Sequence, residues 1–124
     1  MPARFTELVV DCEDPEVLAH FWEQVLGWPR GEETDEDDDD DVEIELRNPD
    51  GYPSLLFGKV PDGKAVKNRL HIDLSPKGCD QPEELERLIA LGARKIDIGQ
   101  GDKSWVVLAD PEGNEFCLLR TRSD

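Results

Sequence analysis

The chain has 124 residues, with 14 basic and 30 acidic side chains and a formal net charge of −16. That length predicts one domain over residues 1–124, with one core. No apolar run approaches the roughly 20 residues of a membrane-spanning helix, and no signal peptide is expected. The negative charge disfavours nucleic acid and anionic membranes as partners, because like charges repel. Three cysteines without a close pair fit a reducing cytoplasm better than a disulfide framework.

The acidic excess is concentrated in one stretch, because residues 32–43 hold ten of the acidic side chains. Residues 32–41 have no apolar periodicity, so we predict a solvated loop there. Loose Ca²⁺ binding is the alternative. However, the stretch lacks the glycine and the spaced ligands of an EF-hand loop.

The first half of the chain predicts one strand, one helix and two further strands. Residues 5–12 alternate, with Leu8, Val10 and Cys12 on one face. A helix then begins at Asp14-Pro15 and ends at Gly27. Its apolar stripe contains Val17, Leu18, Phe21, Trp22, Val25 and Leu26. Residues 42–47 alternate strictly, and residues 54–60 follow as a strand after a Pro-Gly turn.

The second half predicts the same order of elements. Residues 69–75 alternate, with Leu70, Ile72 and Leu74 on the core face. A helix over residues 82–91 has Asp80 or Gln81 as its cap and ends at Gly92. Its apolar stripe contains Leu85, Leu88 and Ile89. Strands are predicted at residues 95–99, 105–109 and 115–121.

Two matching turns show that these halves form a repeat. Residues 48–51 (Asn-Pro-Asp-Gly) and residues 110–113 (Asp-Pro-Glu-Gly) each lead into an apolar run. The repeat predicts an α+β fold, in which a curled mixed sheet surrounds a concave pocket and the helices cover its outer face. Module 1 covers about residues 4–62, and module 2 covers about residues 68–122.

The order and spacing of several short segments resemble the vicinal oxygen chelate superfamily. The segments are Asp14-Pro15, Phe21-Trp22, Leu26-Gly27-Trp28, and residues 67–74 (KNRLHIDL), 91–93 (LGA) and 110–116 (DPEGNEF). That superfamily includes glyoxalase I, bleomycin-resistance proteins and extradiol dioxygenases. The resemblance is to its glyoxalase-like subgroup, most of whose members have no assigned reaction. It implies paired βαβββ modules and a homodimer.

The concave face is where chemistry is expected. The alternation places Glu7 and Asp11 on that face in one half, and His71 and Asp73 in the other. A histidine near carboxylates is suited to acid/base catalysis, so His71 and Glu7 are the candidate catalytic residues. A structural, hydrogen-bonded histidine is the alternative.

The resemblance also implies which residues would hold a metal. The family's four ligand positions fall on Glu7, on Leu55 or Gly58, on His71 and on Cys117. Leu55 and Gly58 have no side chain that binds a metal, and Cys117 is also consistent with a small buried apolar residue. Asp11, Asp73, Trp105 and Cys117 are predicted to line the ligand pocket.

The sequence therefore predicts a cytoplasmic glyoxalase-like protein that binds a small organic molecule, without a complete four-ligand metal site. It would sequester the molecule, as bleomycin-resistance proteins do, or act on it with His71 and Glu7. The alternative is a metal-dependent lyase, isomerase or dioxygenase, in which Glu7, His71 and Cys117 hold a divalent ion. Whether the protein is an enzyme stays open at this point.

Overall fold

The computed structural model describes residues 2–31, 43–61, 64, 66, 68–96 and 104–121. These residues divide into a first unit, Met1–Gly63, and a second unit, Lys64–Asp124. The loop predicted at residues 32–41 lies outside the described residues. No described helix is long and apolar enough to cross a membrane.

The first unit has one helix and one mixed sheet. Its elements are β1 (Glu7–Cys12), α1 (Pro15–Leu26), β2 (Glu43–Leu46) and β3 (Ser54–Lys59). The sheet order is β1-β3-β2, in which β1 is parallel to β3 and β2 is antiparallel to it.

The second unit also has one helix and one mixed sheet. Its elements are β4 (Ile72–Leu74), α2 (Gln81–Leu91), β5 (Arg94–Lys95), β6 (Val106–Ala109) and β7 (Glu115–Leu118), with the order β4-β7-β6-β5. The predicted α+β class is confirmed.

Both helices begin and end where the sequence predicts. The Asp14 carboxylate accepts a hydrogen bond from Val17 N at 3.3 Å, and Asp80 accepts one from Glu83 N at 3.0 Å. Each bond satisfies one of the amide groups that a helix N-terminus leaves without a partner. At the other end of α1, Gly27 adopts the left-handed conformation with φ 70°, which glycine reaches without a Cβ penalty.

In the first unit, the apolar stripe of α1 packs against β2 and β3. Phe21 and Trp22 meet edge to face, with ring centroids 5.2 Å apart. Each large side chain removed from water contributes about 1.5–3 kcal/mol. The buried apolar residues of this unit are Cys12, Leu18, Ala19, Phe21, Trp22, Leu46, Leu55 and Phe57.

The first unit has an isolated β-bridge at the place that β5 occupies in the second unit. Arg30 pairs with Leu46 in antiparallel register, flanked by hydrogen bonds from Arg47 N to Pro29 O and from Gly31 N to Glu45 O. In the second unit, Arg94 pairs in the same sense with Ala109. Pro29 has no N–H to donate to a ladder, which keeps this pairing short. Among the described residues, the first module is therefore βαββ with a bridge rather than a full βαβββ.

The strand predicted at residues 69–75 is shorter in the structure. β4 begins at Ile72, and the preceding residues form a bend. Leu70, predicted on the core face, is 76% exposed, because the alternation of a strand does not extend into a bend. Val17 and Ile89, predicted within helix stripes, are also exposed. Both lie at the edge of their stripe.

Candidate functional site

Three side chains of the second unit converge at β4 and β7. His71 lies directly before β4, Asp73 lies within it and Cys117 lies within β7. β4 and β7 are parallel, and Asp73 is the direct register partner of Cys117. Cross-strand partners point to the same face of a sheet, so Asp73 and Cys117 share one face. We call these three residues the His-Asp-Cys cluster.

The cluster is compact. One nitrogen, oxygen or sulfur atom from each of its residues lies within 4.8 Å of the other two. His71 Nδ1 is 2.9 Å from Asp73 Oδ1. An ionised carboxylate has no proton to give, so Nδ1–H donates and Nε2 is left to accept a proton or bind a ligand.

The three residues differ in their contact with solvent. The His71 and Asp73 side chains are each 47% exposed, whereas Cys117 is 8% exposed. The two polar groups are therefore accessible to a molecule from solution, and the thiol lies at the buried side of the cluster. Cys117 forms no disulfide.

A partly buried ion pair fixes the chain just before His71. Glu115 Oε1 accepts from Lys64 Nζ at 2.8 Å, and Glu115 Oε2 accepts from Asn68 N at 2.9 Å. Lys64 Nζ also donates to Val66 O. Burial alone raises the pKa of Glu115, but the bonds from Lys64 and Asn68 outweigh it and hold that pKa below its usual range. These contacts position the residues that precede β4, and no local sequence pattern indicates them.

The other predicted site residues, Glu7, Asp11 and Trp105, are exposed and lie on a strand or directly before one. Glu7 and Asp11 lie on β1 and are exposed, and their register partners are Ser54 and Gly58. Trp105 directly precedes β6 in the second unit and is 37% exposed. Asp73 was predicted as a pocket residue only. Its alternation with His71 was the available signal that both side chains share one face.

The strand register bears on the family ligand position that is predicted at Leu55 or Gly58. If Glu7 corresponds to His71, as the repeat predicts, then Val9 corresponds to Asp73. The register partner of Val9 is Leu56, just as the partner of Asp73 is Cys117. Under that correspondence the position falls on Leu56, next to the predicted Leu55. The two hairpins differ in length, with eight residues (47–54) between the closing pair of the first and five (110–114) in the second. A leucine cannot ligate a metal, so the four-ligand set of the family does not fit this chain.

A comparison with protein families identifies residues 7–119 as a glyoxalase-like domain. Solved structures show the same fold. The fosfomycin resistance protein FosX from Mesorhizobium loti is 18% identical and has a TM-score of 0.73, with 99% of this chain and 94% of that chain covered. A mutant of FosX from Listeria monocytogenes, complexed with Mn(II) and 1S,2S-dihydroxypropylphosphonic acid, is 14% identical with a TM-score of 0.71, at 99% and 95% coverage.

A third similar structure is a glyoxalase/bleomycin resistance protein/dioxygenase family enzyme from Burkholderia phytofirmans PsJN. It is 20% identical with a TM-score of 0.58, at 94% and 97% coverage. No curated protein matches the sequence. The repeated strand-helix-strand units and these neighbours define the class as α+β proteins with the fold of those solved structures. Within that class, the chain belongs to the glyoxalase-like domain family.

Proposed function

We propose that this protein binds a small, polar organic molecule at the His-Asp-Cys cluster, without a complete four-ligand metal site. The hydrogen bond between His71 Nδ1 and Asp73 Oδ1 is the observation that supports this proposal most directly. It orients the imidazole and leaves Nε2 for a hydroxyl or acid group of the ligand. Cys117 and Trp105 supply less polar surface, as ligand sites commonly require.

The site can act in either of two ways. It sequesters its ligand, or it moves a proton on the bound molecule with His71 as the acid/base group. Glu7 and Asp11, on β1 of the first unit, stay predicted site residues on the basis of the repeat. A homodimer and a cytoplasmic location are part of the proposal through the resemblance described above.

A binding measurement with a matched control tests the proposal. The probes are 1S,2S-dihydroxypropylphosphonic acid, which was bound to the Listeria protein, and a set of small hydroxy acids. We expect calorimetry to detect binding of at least one probe, with a loss of about tenfold or more in His71→Gln. His20→Gln is the control, because His20 is an exposed residue of α1. Equal weakening by both variants would refute a role for His71.

A metal-dependent lyase, isomerase or dioxygenase is the second candidate function. Two of its three proposed ligands, His71 and Cys117, belong to the compact cluster, and Glu7, in the first unit, is the predicted third. Elemental analysis of protein purified without chelators separates the candidates. One equivalent of metal that disappears in Glu7→Gln favours the metal-dependent enzyme, and metal-free protein that still binds a probe favours the first candidate.

A further inference from the structure

The His-Asp-Cys cluster offers the three types of atom that zinc prefers in proteins. Its donors are an imidazole nitrogen, a carboxylate oxygen and a thiol sulfur, all within 4.8 Å of one another. Zinc binds these groups at about 2.0–2.3 Å in tetrahedral sites. All three come from β4, β7 and the residue before β4, so the second unit contains the whole set.

We infer that His71, Asp73 and Cys117 form a three-ligand zinc site within the second unit, with Asp73 as the oxygen ligand. This set differs from the metal-dependent alternative above, in which Glu7 supplies the carboxylate. Metal binding of this kind requires no organic ligand. Its failure would therefore leave the proposed binding of a small molecule standing.

The geometry requires only small movements of side chains. Ligand atoms around one tetrahedral zinc ion lie about 3.3–3.8 Å from one another, given the bond lengths above. Bringing atoms at most 4.8 Å apart to that spacing takes about 1 Å. His71 and Asp73 are half-exposed and have room to rotate. Cys117 is buried on β7 and is the fixed ligand to which the other two adjust.

The donor set selects the kind of metal. A thiolate is a soft ligand that favours zinc or cobalt, whereas Mn²⁺ and Mg²⁺ prefer oxygen ligands. The site should therefore discriminate against Mn²⁺, the ion in the complex of the Listeria protein. Three protein ligands leave a fourth position for water or a ligand oxygen, which is the arrangement of catalytic rather than structural zinc sites. The exposure of His71 and Asp73 places that position toward solvent.

Cobalt titration of the purified, metal-free protein tests this inference, because a thiolate bound to Co²⁺ gives an intense near-ultraviolet charge-transfer band. We expect one equivalent of Co²⁺ to produce the band and Zn²⁺ to displace it, while Mn²⁺ in excess does not. Cys117→Ser should abolish the band, and Cys79→Ser should retain it. Cys79 is the matched control because it lies outside the cluster, in the turn before α2.

Two carboxylate variants then identify the oxygen ligand. Asp73→Asn should weaken Co²⁺ binding by about tenfold or more, whereas Glu7→Gln should leave it within about twofold. Asp73 is half-exposed, so Asp73→Asn is expected to fold, and circular dichroism checks this. No charge-transfer band, an unchanged affinity in Asp73→Asn, or an equal loss in Glu7→Gln would each overturn the inference.

Discussion

Asp73 and Cys117 are direct partners across the parallel strands β4 and β7, and His71 Nδ1 is hydrogen-bonded to Asp73 Oδ1 at 2.9 Å. A residue that sequence alternation places next to the histidine is thus also next to the cysteine, which lies 44 positions further along the chain. Three side chains that can bind a metal ion therefore meet at this point of the second unit.

Removing the Asp73 carboxylate should change the protonated nitrogen of His71. In the native protein, Nδ1–H donates to Asp73, so the Nδ1–H tautomer is favoured. An exposed pair of this kind contributes about 0.2–1 kcal/mol, so Asp73→Ala should lower the ratio of the Nδ1–H to the Nε2–H tautomer by up to about fivefold. The nitrogen-15 shifts of the imidazole measure it. His20 should keep its shifts, and an unchanged His71 spectrum would contradict the hydrogen bond.

The side chain of Asp110 should contribute strongly to the stability of the second Pro-Gly turn. Its buried carboxylate accepts hydrogen bonds from Glu112 N and from Asn114 N, both at 3.0 Å, and from Asn114 Nδ2. Asp110→Ala leaves these donors without an acceptor, so a loss of about 2–4 kcal/mol in unfolding free energy is expected. Urea denaturation measures the loss.

The matched control for that change is Asn48→Ala in the first Pro-Gly turn. Asn48 accepts one bond from Asp50 N and donates one to Pro53 O, and it is only partly buried. We expect a smaller loss, about 1 kcal/mol. Equal losses in the two variants would contradict the greater role of Asp110.

The ion pair of Glu115 should make stability depend on acid pH. The folded pKa of Glu115 lies below its ordinary value of 4.5, so its contribution is full above pH 4.5 and is lost as pH falls through the lowered folded value. At pH 7, Glu115→Gln should cost about 1.5–3 kcal/mol, the usual range for a charged hydrogen bond. Below pH 4.5 the difference from the native protein should shrink.

Denaturation curves at several pH values check that expectation. Glu86→Gln is a suitable control, because Glu86 is an exposed residue of α2. Its effect on stability should be within about 0.5 kcal/mol at every pH, as is usual for surface substitutions. A constant deficit of Glu115→Gln across the acid range would rule out the ion pair as its cause.

Replacing Arg30 with lysine should lower the stability of the protein. Its guanidinium binds both oxygens of Glu16, at 2.9 and 3.0 Å, and also reaches Glu23. The bond to Glu16 holds the pKa of Arg30 above its usual range and that of Glu16 below its own. Lysine cannot reproduce the planar fork. Because Glu16 is mostly exposed, the expected loss for Arg30→Lys is only about 0.5–1 kcal/mol.

Thermal unfolding at low and high salt measures the effect of Arg30→Lys, since salt screens surface ion pairs. The control is Arg47→Lys, in which the native residue makes a single contact with Glu45 at 3.3 Å and is 55% exposed. It should be nearly neutral. A Tm change in Arg47→Lys as large as that in Arg30→Lys would show that the two-oxygen contact of Arg30 with Glu16 adds nothing to stability.

Much of the fold follows from local signals in the sequence. Asp14, Asp80 and the glycines after each helix fix the helix ends through caps that depend only on neighbouring residues. The matching Pro-Gly turns predict the hairpins for the same reason. The predicted start of the strand at residue 69 is wrong, because β4 begins at Ile72. Leu70 continues the alternation of polar and apolar residues into a segment that is not a strand.

The candidate site was only partly predictable. Alternation places His71 and Asp73 on one face, but it does not give the register between β4 and β7, which decides that Cys117 meets Asp73. The resemblance supplied His71 and Cys117 as a pair. The bridge at Arg30 and the contacts of Glu115 depend on partners distant in sequence, which no local pattern indicates.

The most direct test of the central claim is a nitrogen-15 NMR titration of the native protein with the probes named above. Shift changes should concentrate at residues 71–73 and 116–118, and they should disappear in His71→Gln while His20→Gln retains them. Shift changes confined to other segments, with residues 71–73 and 116–118 unaffected, would contradict a binding site at the His-Asp-Cys cluster.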